Sequence, residues 1–147
     1  MRNKTNILKV AIYGLAVDDA VGVPYEFRGR GTYECTGMTG YGTHDQPEGF
    51  WSDDASMALA TCVSIKVCGG IDVDDIRARF RRWLKDGEHT PFGERFDCGN
   101  TCAVATRSGS GSGDEWSNGN GSLMRIIPLA FVDGITDAEI ENVTKER

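Results

Sequence analysis

The chain has 147 residues, with 22 acidic and 16 basic side chains and a formal net charge of −6 at pH 7. This length suits one domain with its own core, and the acidic balance excludes a general nucleic-acid-binding surface. No apolar stretch approaches the roughly 20 residues of a membrane-spanning helix. We therefore expect a single cytoplasmic domain over residues 1–147, with neither nucleic acid nor membrane as a partner.

The first predicted helix runs from Ile7 to about Val21. Three apolar side chains and one carboxylate recur on a single helical face, at Leu8, Ile12, Leu15 and Asp19. A carboxylate on this core-facing stripe must be neutral, heavily hydrogen-bonded or bound to a cation, because burying it unpaired is costly. The alternative is that the helix has ended by Asp18 and that both acids are solvated.

An irregular segment is predicted to follow. Gly22 and Pro24 end the helix and leave Glu26 just beyond it. Residues 28–51 are rich in Gly, Thr and Tyr without a sustained period, which predicts a long loop with at most a short strand or hairpin. Long loops in compact domains are often functional, and this one would bring Glu26 close to residues 52–54.

Residues 51–57, Trp-Ser-Asp-Asp-Ala-Ser-Met, place a hydroxyl and two adjacent carboxylates at the start of an apolar helix. Hard oxygen donors of this kind suit Mg²⁺. Ser52 is also a good N-cap, and Asp53 and Asp54 favour the positive end of the helix dipole, so helix capping is the alternative interpretation. The helix is apolar nearly all round until Gly69-Gly70 ends it, so we expect it to be central and buried.

Two further helices are predicted in the middle of the chain. The first, Asp72 to Lys85, is amphipathic, and its interleaved arginines are interpreted as a solvated face. The second opens at residues 97–101, Asp-Cys-Gly-Asn-Thr, and runs to about Arg107. Within its opening segment, Gly99 and Asn100 are a weaker candidate for backbone contact with a ligand.

The last third of the chain begins with low-complexity residues 108–113, Ser-Gly-Ser-Gly-Ser-Gly, which predict a flexible surface loop. Residues 117–122 form a Gly/Asn/Ser loop whose backbone N–H groups can face a phosphate. A buried helical stretch over residues 123–131 follows, distorted near Pro128, and a capping box at residues 136–139 starts the last helix. A cation site and a phosphate-binding loop together suggest chemistry on a phosphorylated ligand.

The cysteine and histidine content argues against two common kinds of site. The five cysteines are an odd number and form no CxxC pair, so we expect reduced core thiols. The two histidines lie in loop-like surroundings. They leave little material for a His-rich zinc site or a Ser-His-Asp triad.

Four segments, in this order, resemble the motifs of the ADP-ribosylglycohydrolase family, which includes the dinitrogenase-reductase-activating glycohydrolases. Residues 14–27 resemble the opening helix G-x-x-x-GDA-x-G-x-P-x-E-F, and residues 52–57 the metal-binding segment T-D-D-[TS]-x-M. Residues 96–101 resemble F-D-I-G-N-T, and residues 117–128 resemble S-x-G-N-G-[SA]-x-M-R-x-x-P. Four motifs in the correct order make this a specific match.

The resemblance implies an all-α helical bundle around a central cleft. It also implies hydrolysis of the glycosidic bond between ADP-ribose and a modified side chain, arginine or serine, with an ADP-ribosylated protein or ADP-ribose as the partner. Two Mg²⁺ or Mn²⁺ ions in the complete site would position the ribose and polarise a water. The reaction passes through an oxocarbenium-like state, which anionic groups near ribose C1″ stabilise.

The family's functional residues carry over by position. The expected metal ligands are Glu26, Ser52, Asp53 and Asp54. The expected catalytic residues are Asp19, Glu26, Asp53 and Asp54. The residues expected to line the diphosphate and adenosine-ribose region of the substrate are Gly99, Asn100, Ser117, Asn118, Gly119, Asn120 and Gly121.

The chain departs from the family pattern at single positions and in length. Asp18 stands where Gly is usual, Ser52 replaces Thr while keeping an oxygen ligand, and Ala55 replaces a hydroxyl residue. Family members are generally much longer, and the G-G-D-x-D-[ST] segment that completes their dimetal site does not occur in residues 1–147. We therefore expect a truncated bundle that exposes apolar surface and associates with itself or with a complementing C-terminal chain.

The sequence leaves three functions open. The chain is the N-terminal part of a hydrolase that is active only with its second half, or a non-catalytic remnant that binds ADP-ribose or a divalent cation. The third function is that of a small helical interaction module whose acids only cap helices.

Overall fold

The computed structural model describes residues 4–111 and 119–145, so Ser117 and Asn118 lie outside the described residues. Within those two ranges the chain forms helices and short 3₁₀ turns without any strand, and an isolated bridge joins Tyr41 and Gln46. The expected all-α class is confirmed. The helices are α1 (Lys4–Gly22), α2 (Asp53–Cys68), α3 (Val73–Asp86), α4 (Asn100–Ser108) and α5 (Asp137–Lys145).

Helix α1 continues to Gly22, so the alternative in which it ends by Asp18 is wrong. The stripe that predicted an inward-facing carboxylate is confirmed, because Asp19 is only 8% exposed while Leu8, Ile12 and Leu15 are half-buried. A 3₁₀ turn, Val23–Tyr25, follows at Pro24 and redirects the chain.

A second face of α1 is apolar and exposed. Its side chains recur at helical spacing and are 40 to 72% exposed: Ile7, Val10, Tyr13 and Val17. An exposed apolar stripe on one helix is typical of a surface that packs against another element.

Helix α2 is the central element, as expected, and packs against both α1 and α3. The hydrophobic core forms between α2 and α3 from Met57, Ala60, Ile76, Phe80 and Trp83. These side chains are at most 7% exposed. The other side of α3 is polar. Arg81 is exposed, and Arg82, whose side chain is 40% exposed, pairs with Glu88. Arg79, in contrast, is only 12% exposed and pairs with Asp75 Oδ2 at 2.6 Å. The interpretation of its arginines as a largely solvated face is consistent with this arrangement.

The predicted helical stretch over residues 123–131 is confirmed only in part, with Pro128 and Leu129 buried in a short 3₁₀ helix. The chain instead forms two 3₁₀ turns, Asn120–Ser122 and Ile127–Phe131, and Leu123 between them is 66% exposed. Pro128 has no N–H to donate to the carbonyl of Met124, and its ring clashes with that carbonyl in an α-helix. A proline does fit the start of a new turn, and Pro128 lies there.

Two further expectations are resolved by the structure. The capping box is confirmed, because Glu139 N donates to Thr136 Oγ1 and Thr136 N donates to Glu139 Oε2. None of the five cysteines forms a disulfide, but they are not all core thiols: Cys102 is buried, whereas Cys35 and Cys68 are exposed. In residues 4–111 and 119–145, no helix combines the length and the apolar character needed to cross a membrane.

Candidate active site

The N-terminus of α2 is capped by a carboxylate from another helix. Both oxygens of Asp19 accept from Ser52 N at 3.0 Å, and Oδ2 also accepts from Ala55 N at 2.9 Å. Ser52 occupies the N-cap position, but its hydroxyl donates to Asp19 Oδ1 at 2.7 Å instead of accepting from the helix. Of the alternative capping interpretation, the N-cap position of Ser52 is confirmed, but its side chain does not cap the helix. Asp19 performs that function across 33 residues of sequence.

This contact settles how Asp19 tolerates burial. Burial raises the pKa of its carboxyl group, while the hydrogen bonds from Ser52 and Ala55 act in the opposite direction. Of the three states that the stripe allowed, the structure shows the heavily hydrogen-bonded one. Asp19 and Ser52 thus hold α1 and the start of α2 together, and neither lines the neighbouring cleft.

A cleft of about 470 Å³ opens beside the start of α2. It is lined by four carboxylates, at Glu26, Asp53, Asp54 and Asp97. Two backbone segments rich in Gly and Asn, residues 99–102 and 119–122, line the same cleft. The structure therefore brings together the predicted residues Glu26, Asp53, Asp54, Gly99, Asn100, Gly119, Asn120 and Gly121. As predicted, the long loop brings Glu26 into the same cleft as Asp53 and Asp54.

The four carboxylates repel one another. Burial and then the charges of Asp19 and Asp53 raise the pKa of Asp54 to about 7. Burial and then the charge of Asp97 raise the pKa of Asp53, and burial raises the pKa of Glu26. Among the residues that the structure describes, no Lys or Arg forms an ion pair with any of the four. Such a cluster favours a bound cation.

Two residues of this cluster were missed by the candidate-site prediction. Asp97 belongs to the motif over residues 96–101, so the sequence did mark it. Only Gly99 and Asn100 of that motif were proposed as site residues. His44 lies in the loop over residues 28–51, where no period or motif marks it. In the structure His44 Nε2 lies 2.6 Å from Glu26 Oε2.

The backbone segments of the cleft are in contact with the acids and with each other. Gly99 N donates a long hydrogen bond, 3.5 Å, to Asp53 Oδ2. A side chain at Gly121 would collide with Cys102 Sγ, so only glycine lets the second segment approach α4 this closely. Ser117 and Asn118 lie outside the described residues, and their predicted contact with substrate stays a prediction.

A buried arginine completes the cleft lining. Arg125 is 9% exposed, and its guanidinium lies 4.8 Å above the ring of Phe80. Its Nη1 donates to Met57 Sδ at 3.5 Å and to Cys102 Sγ at 3.9 Å. Burial lowers the pKa of Arg125. In the described ranges no carboxylate lies in ion-pair contact with this cation, although the charge of Asp53 acts on it from within the same cleft.

The comparison with known families agrees with this geometry. The sequence model described as ADP-ribosylglycohydrolase matches residues 3–145, which is nearly the whole chain. The chain belongs to the ADP-ribosylglycohydrolase family. The resemblance that the four motifs indicated is confirmed.

Relatives of the ADP-ribosylglycohydrolase family share about a third of their residues with this chain over the matched region. The "ADP-ribosylarginine hydrolase Tri1" of Serratia proteamaculans (strain 568) is 34% identical over 130 residues, covering 84% of this chain and 36% of the relative. The "ADP-ribosyl-[dinitrogen reductase] glycohydrolase" of Rhodospirillum rubrum is 34% identical over 142 residues, covering 89% and 46%. The chain therefore spans less than half the length of these curated relatives.

A solved structure confirms the ADP-ribosylglycohydrolase type of helical fold. The "ADP-ribosylglycohydrolase-related protein complex" superposes with a TM-score of 0.67 at 27% identity. The match covers 98% of this chain and 54% of that chain.

The pKa of Asp54 predicts how stability depends on pH. The folded state keeps this proton up to about pH 7, whereas the unfolded chain releases it near the ordinary value of 3.8. Between these values the folded state binds more protons, so Asp54 makes the free energy of unfolding fall as pH rises, with no further fall above about pH 7.

We therefore expect Asp54→Asn, in the absence of divalent cations, to match the wild type at about pH 4 and to exceed it in stability at about pH 8. Denaturant unfolding across this range measures the difference. Asp74→Asn is the surface control: its side chain is 96% exposed and its contact with Arg77, at 3.8 Å, is an exposed ion pair, so this variant should change stability by no more than about 0.5 kcal/mol. An Asp54→Asn protein that is less stable than the wild type at high pH would contradict the expectation.

Proposed function

We propose that this chain forms part of the cleft in which an ADP-ribosylglycohydrolase removes ADP-ribose from arginine side chains of a modified protein. The observation that carries the proposal is the single cleft shared by four carboxylates and two Gly/Asn backbone segments. Family membership supports it, as do relatives whose names specify ADP-ribosylarginine and ADP-ribosylated dinitrogen reductase. Serine as the modified side chain is the alternative substrate in the assay below.

The donor set of the cleft fits Mg²⁺ or Mn²⁺. Carboxylate oxygens are the ligands that these cations prefer, and Glu26, Asp53 and Asp54 would supply them. Ser52 is a weaker candidate, because it does not line the cleft, although its hydroxyl donates to Asp19 and keeps lone pairs that could bind a cation. When bound, two such ions would neutralise the cluster and act as Lewis acids on a ribose oxygen or a water.

The rest of the cleft suits the diphosphate and ribose of the ligand. Backbone N–H groups in residues 99–101 and 119–122 can donate to phosphate oxygens. Arg125 adds a buried positive charge beside them, and a charge-assisted hydrogen bond to a phosphate is about twice as strong as a neutral one. Together these groups would orient ribose C1″ toward the carboxylates.

The carboxylates then supply the chemistry that the chain itself can provide. Cleavage breaks the bond between C1″ and the guanidine nitrogen, and water forms the new bond to C1″. Anionic groups stabilise the positive charge that develops on the ribose. The proton of the attacking water ends on the released guanidine group. As a cation ligand, Asp54 would stay ionised beside the ribose, because a bound cation lowers the pKa of a carboxyl group. We assign Asp19 a positioning function, since its oxygens are occupied by Ser52 and Ala55.

We also propose a partner for the exposed stripe of α1, defined by Ile7, Val10, Tyr13 and Val17. Its exposure fits the packing of further helices of the family domain, in the same protein or in a complementing or second chain. The length of the relatives supports this proposal, because this chain spans 36 to 46% of those described above.

Calorimetric titration with ADP-ribose, with and without Mg²⁺, tests the proposed function. We expect the affinity for ADP-ribose to rise when Mg²⁺ is present. In Asp53→Asn this rise should be at least about tenfold smaller, since the loss of even a supporting residue at a metal site has an effect of this size. Asp74→Asn is the surface control. Release of ADP-ribose from ADP-ribosyl-arginine and ADP-ribosyl-serine peptides then tests turnover.

Each outcome of this experiment is informative. Metal-dependent binding without turnover would support the half-site and the non-catalytic remnant. A folded chain that shows no heat with ADP-ribose in either condition would reject the proposal, leaving the interaction module.

A further inference from the structure

The turn that carries His44 is fixed tightly against the segment that carries Glu26. Thr43 Oγ1 donates to the carbonyl of Glu26 at 2.7 Å, and a side chain at Gly42 would collide with the backbone of Pro24. Tyr41 and Asp45, on either side, both have positive φ, at 58° and 53°. Non-glycine residues with such φ values are uncommon and persist where the surrounding structure holds them. The position of His44 is therefore built into the fold.

The imidazole of His44 is held in one place by aromatic neighbours. Its ring centroid lies 5.7 Å from that of Phe27 and 5.4 Å from that of Phe96, and its side chain is 12% exposed. Nε2 points at Glu26 Oε2, 2.6 Å away. In the ion-free protein this contact is a hydrogen bond, so Nε2 and Oε2 already face each other. Neutral imidazole is a common metal ligand, and a cation between the two atoms would replace the shared proton.

Asp97 supplies a third atom at the same point. One carboxylate oxygen of Glu26, one of Asp97 and a ring nitrogen of His44 all lie within 4.8 Å of one another. Asp53 and Asp54 line the same cleft and add negative charge around the three. The three come from separate parts of the chain, so their convergence is a property of the fold and not of one loop.

We propose that Glu26, His44 and Asp97 form a site for a divalent transition-metal ion, with His44 contributing a nitrogen ligand. Imidazole together with carboxylates suits Mn²⁺ and later first-row metals, whereas Mg²⁺ prefers oxygen alone. The metal ligands that the family resemblance implies are all oxygen donors. His44, from the loop over residues 28–51, would add a nitrogen donor to them. The inference shares Glu26 with the proposed function but needs neither ADP-ribose binding nor turnover.

Electron spin-echo envelope modulation of the Mn²⁺-loaded chain tests the nitrogen ligand directly. We expect modulation from a directly bound imidazole nitrogen in the wild type and its loss in His44→Gln. The affinity for Mn²⁺ should fall at least about tenfold in that variant, since removing a ligand costs no less than removing a supporting residue. A titration followed by the electron paramagnetic resonance signal of free Mn²⁺ measures this affinity. Mg²⁺ affinity should fall by a smaller factor.

The second histidine of the chain provides the matched control. His89 lies away from the three ligands and has φ of 68°, a conformation that asparagine tolerates, so His89→Asn should retain the nitrogen signal. No nitrogen modulation in the wild type, or modulation that persists in His44→Gln, would overturn the proposal. ADP-ribose titration in Mg²⁺ on the same samples shows separately whether the proposed function has failed.

Discussion

Replacing Asp19 by Ala should lower the free energy of unfolding by about 2–4 kcal/mol, because a buried helix cap is lost and its donors are left unsatisfied. The carboxylate accepts from Ser52 N, Ser52 Oγ and Ala55 N, and it joins α1 to the start of α2. Asp19 is only 8% exposed, so bulk solvent has little access to the donors that the substitution leaves behind. Denaturant unfolding with an unchanged m-value measures the loss.

Two variants make this expectation specific. Asp18→Ala changes the neighbouring, exposed carboxylate and should alter stability by no more than about 0.5 kcal/mol. Asp19→Asn keeps one acceptor oxygen and should fall between the alanine variant and the wild type. Equal stabilities for Asp18→Ala and Asp19→Ala would show that the contact between α1 and α2 does not depend on this cap.

Replacing Arg125 by Met should separate stability from ligand binding. A buried cation is costly, and an apolar side chain of similar length that keeps the contact with Phe80 should lower stability by no more than about 1 kcal/mol. A hydrogen bond to a charged group contributes about 1.5–3 kcal/mol, so ADP-ribose binding should weaken by roughly 10- to 100-fold. Thermal unfolding and calorimetric titration in Mg²⁺ give the two quantities.

The controls for Arg125 test charge and position. Arg125→Lys keeps the charge without the planar guanidinium and should retain part of the affinity. Arg107→Met makes the same chemical change at an exposed position on α4 and should leave binding unaffected. If Arg125→Met binds ADP-ribose as tightly as the wild type, the guanidinium serves core packing and not the ligand.

Periodicity predicted the parts of the fold in which side-chain burial follows the helical repeat. The stripe that ends at Asp19 placed this carboxylate inside the protein. The amphipathic pattern of α3 predicted one buried face, which in the structure carries Phe80 and Trp83. Capping residues marked the starts of helices to within a few residues. These features depend on neighbours three or four residues apart, which a sequence displays directly.

The features that the sequence did not predict depend on distant contacts. The alternative interpretation had the Ser52 side chain capping α2, because the local pattern contains no sign of Asp19, which lies 33 residues away in sequence. His44 lies in a loop without a period, and only its approach to Glu26 gives it significance. Over residues 123–131, apolar composition suggested a helix that Pro128 interrupts more strongly than expected.

The distances along the chain that separate the acids have a consequence for folding. Asp19 reaches the start of α2 across 33 residues, and Gly99 reaches Asp53 across 46, so the acidic cluster exists only after both loops have closed. Forming such non-local contacts is slow, and mutual repulsion of the carboxylates opposes the last step. A divalent cation that binds the closed form removes this opposition and stabilises the native state by mass action. Cation supply would then control how much of the protein is folded, in addition to any part it plays in chemistry.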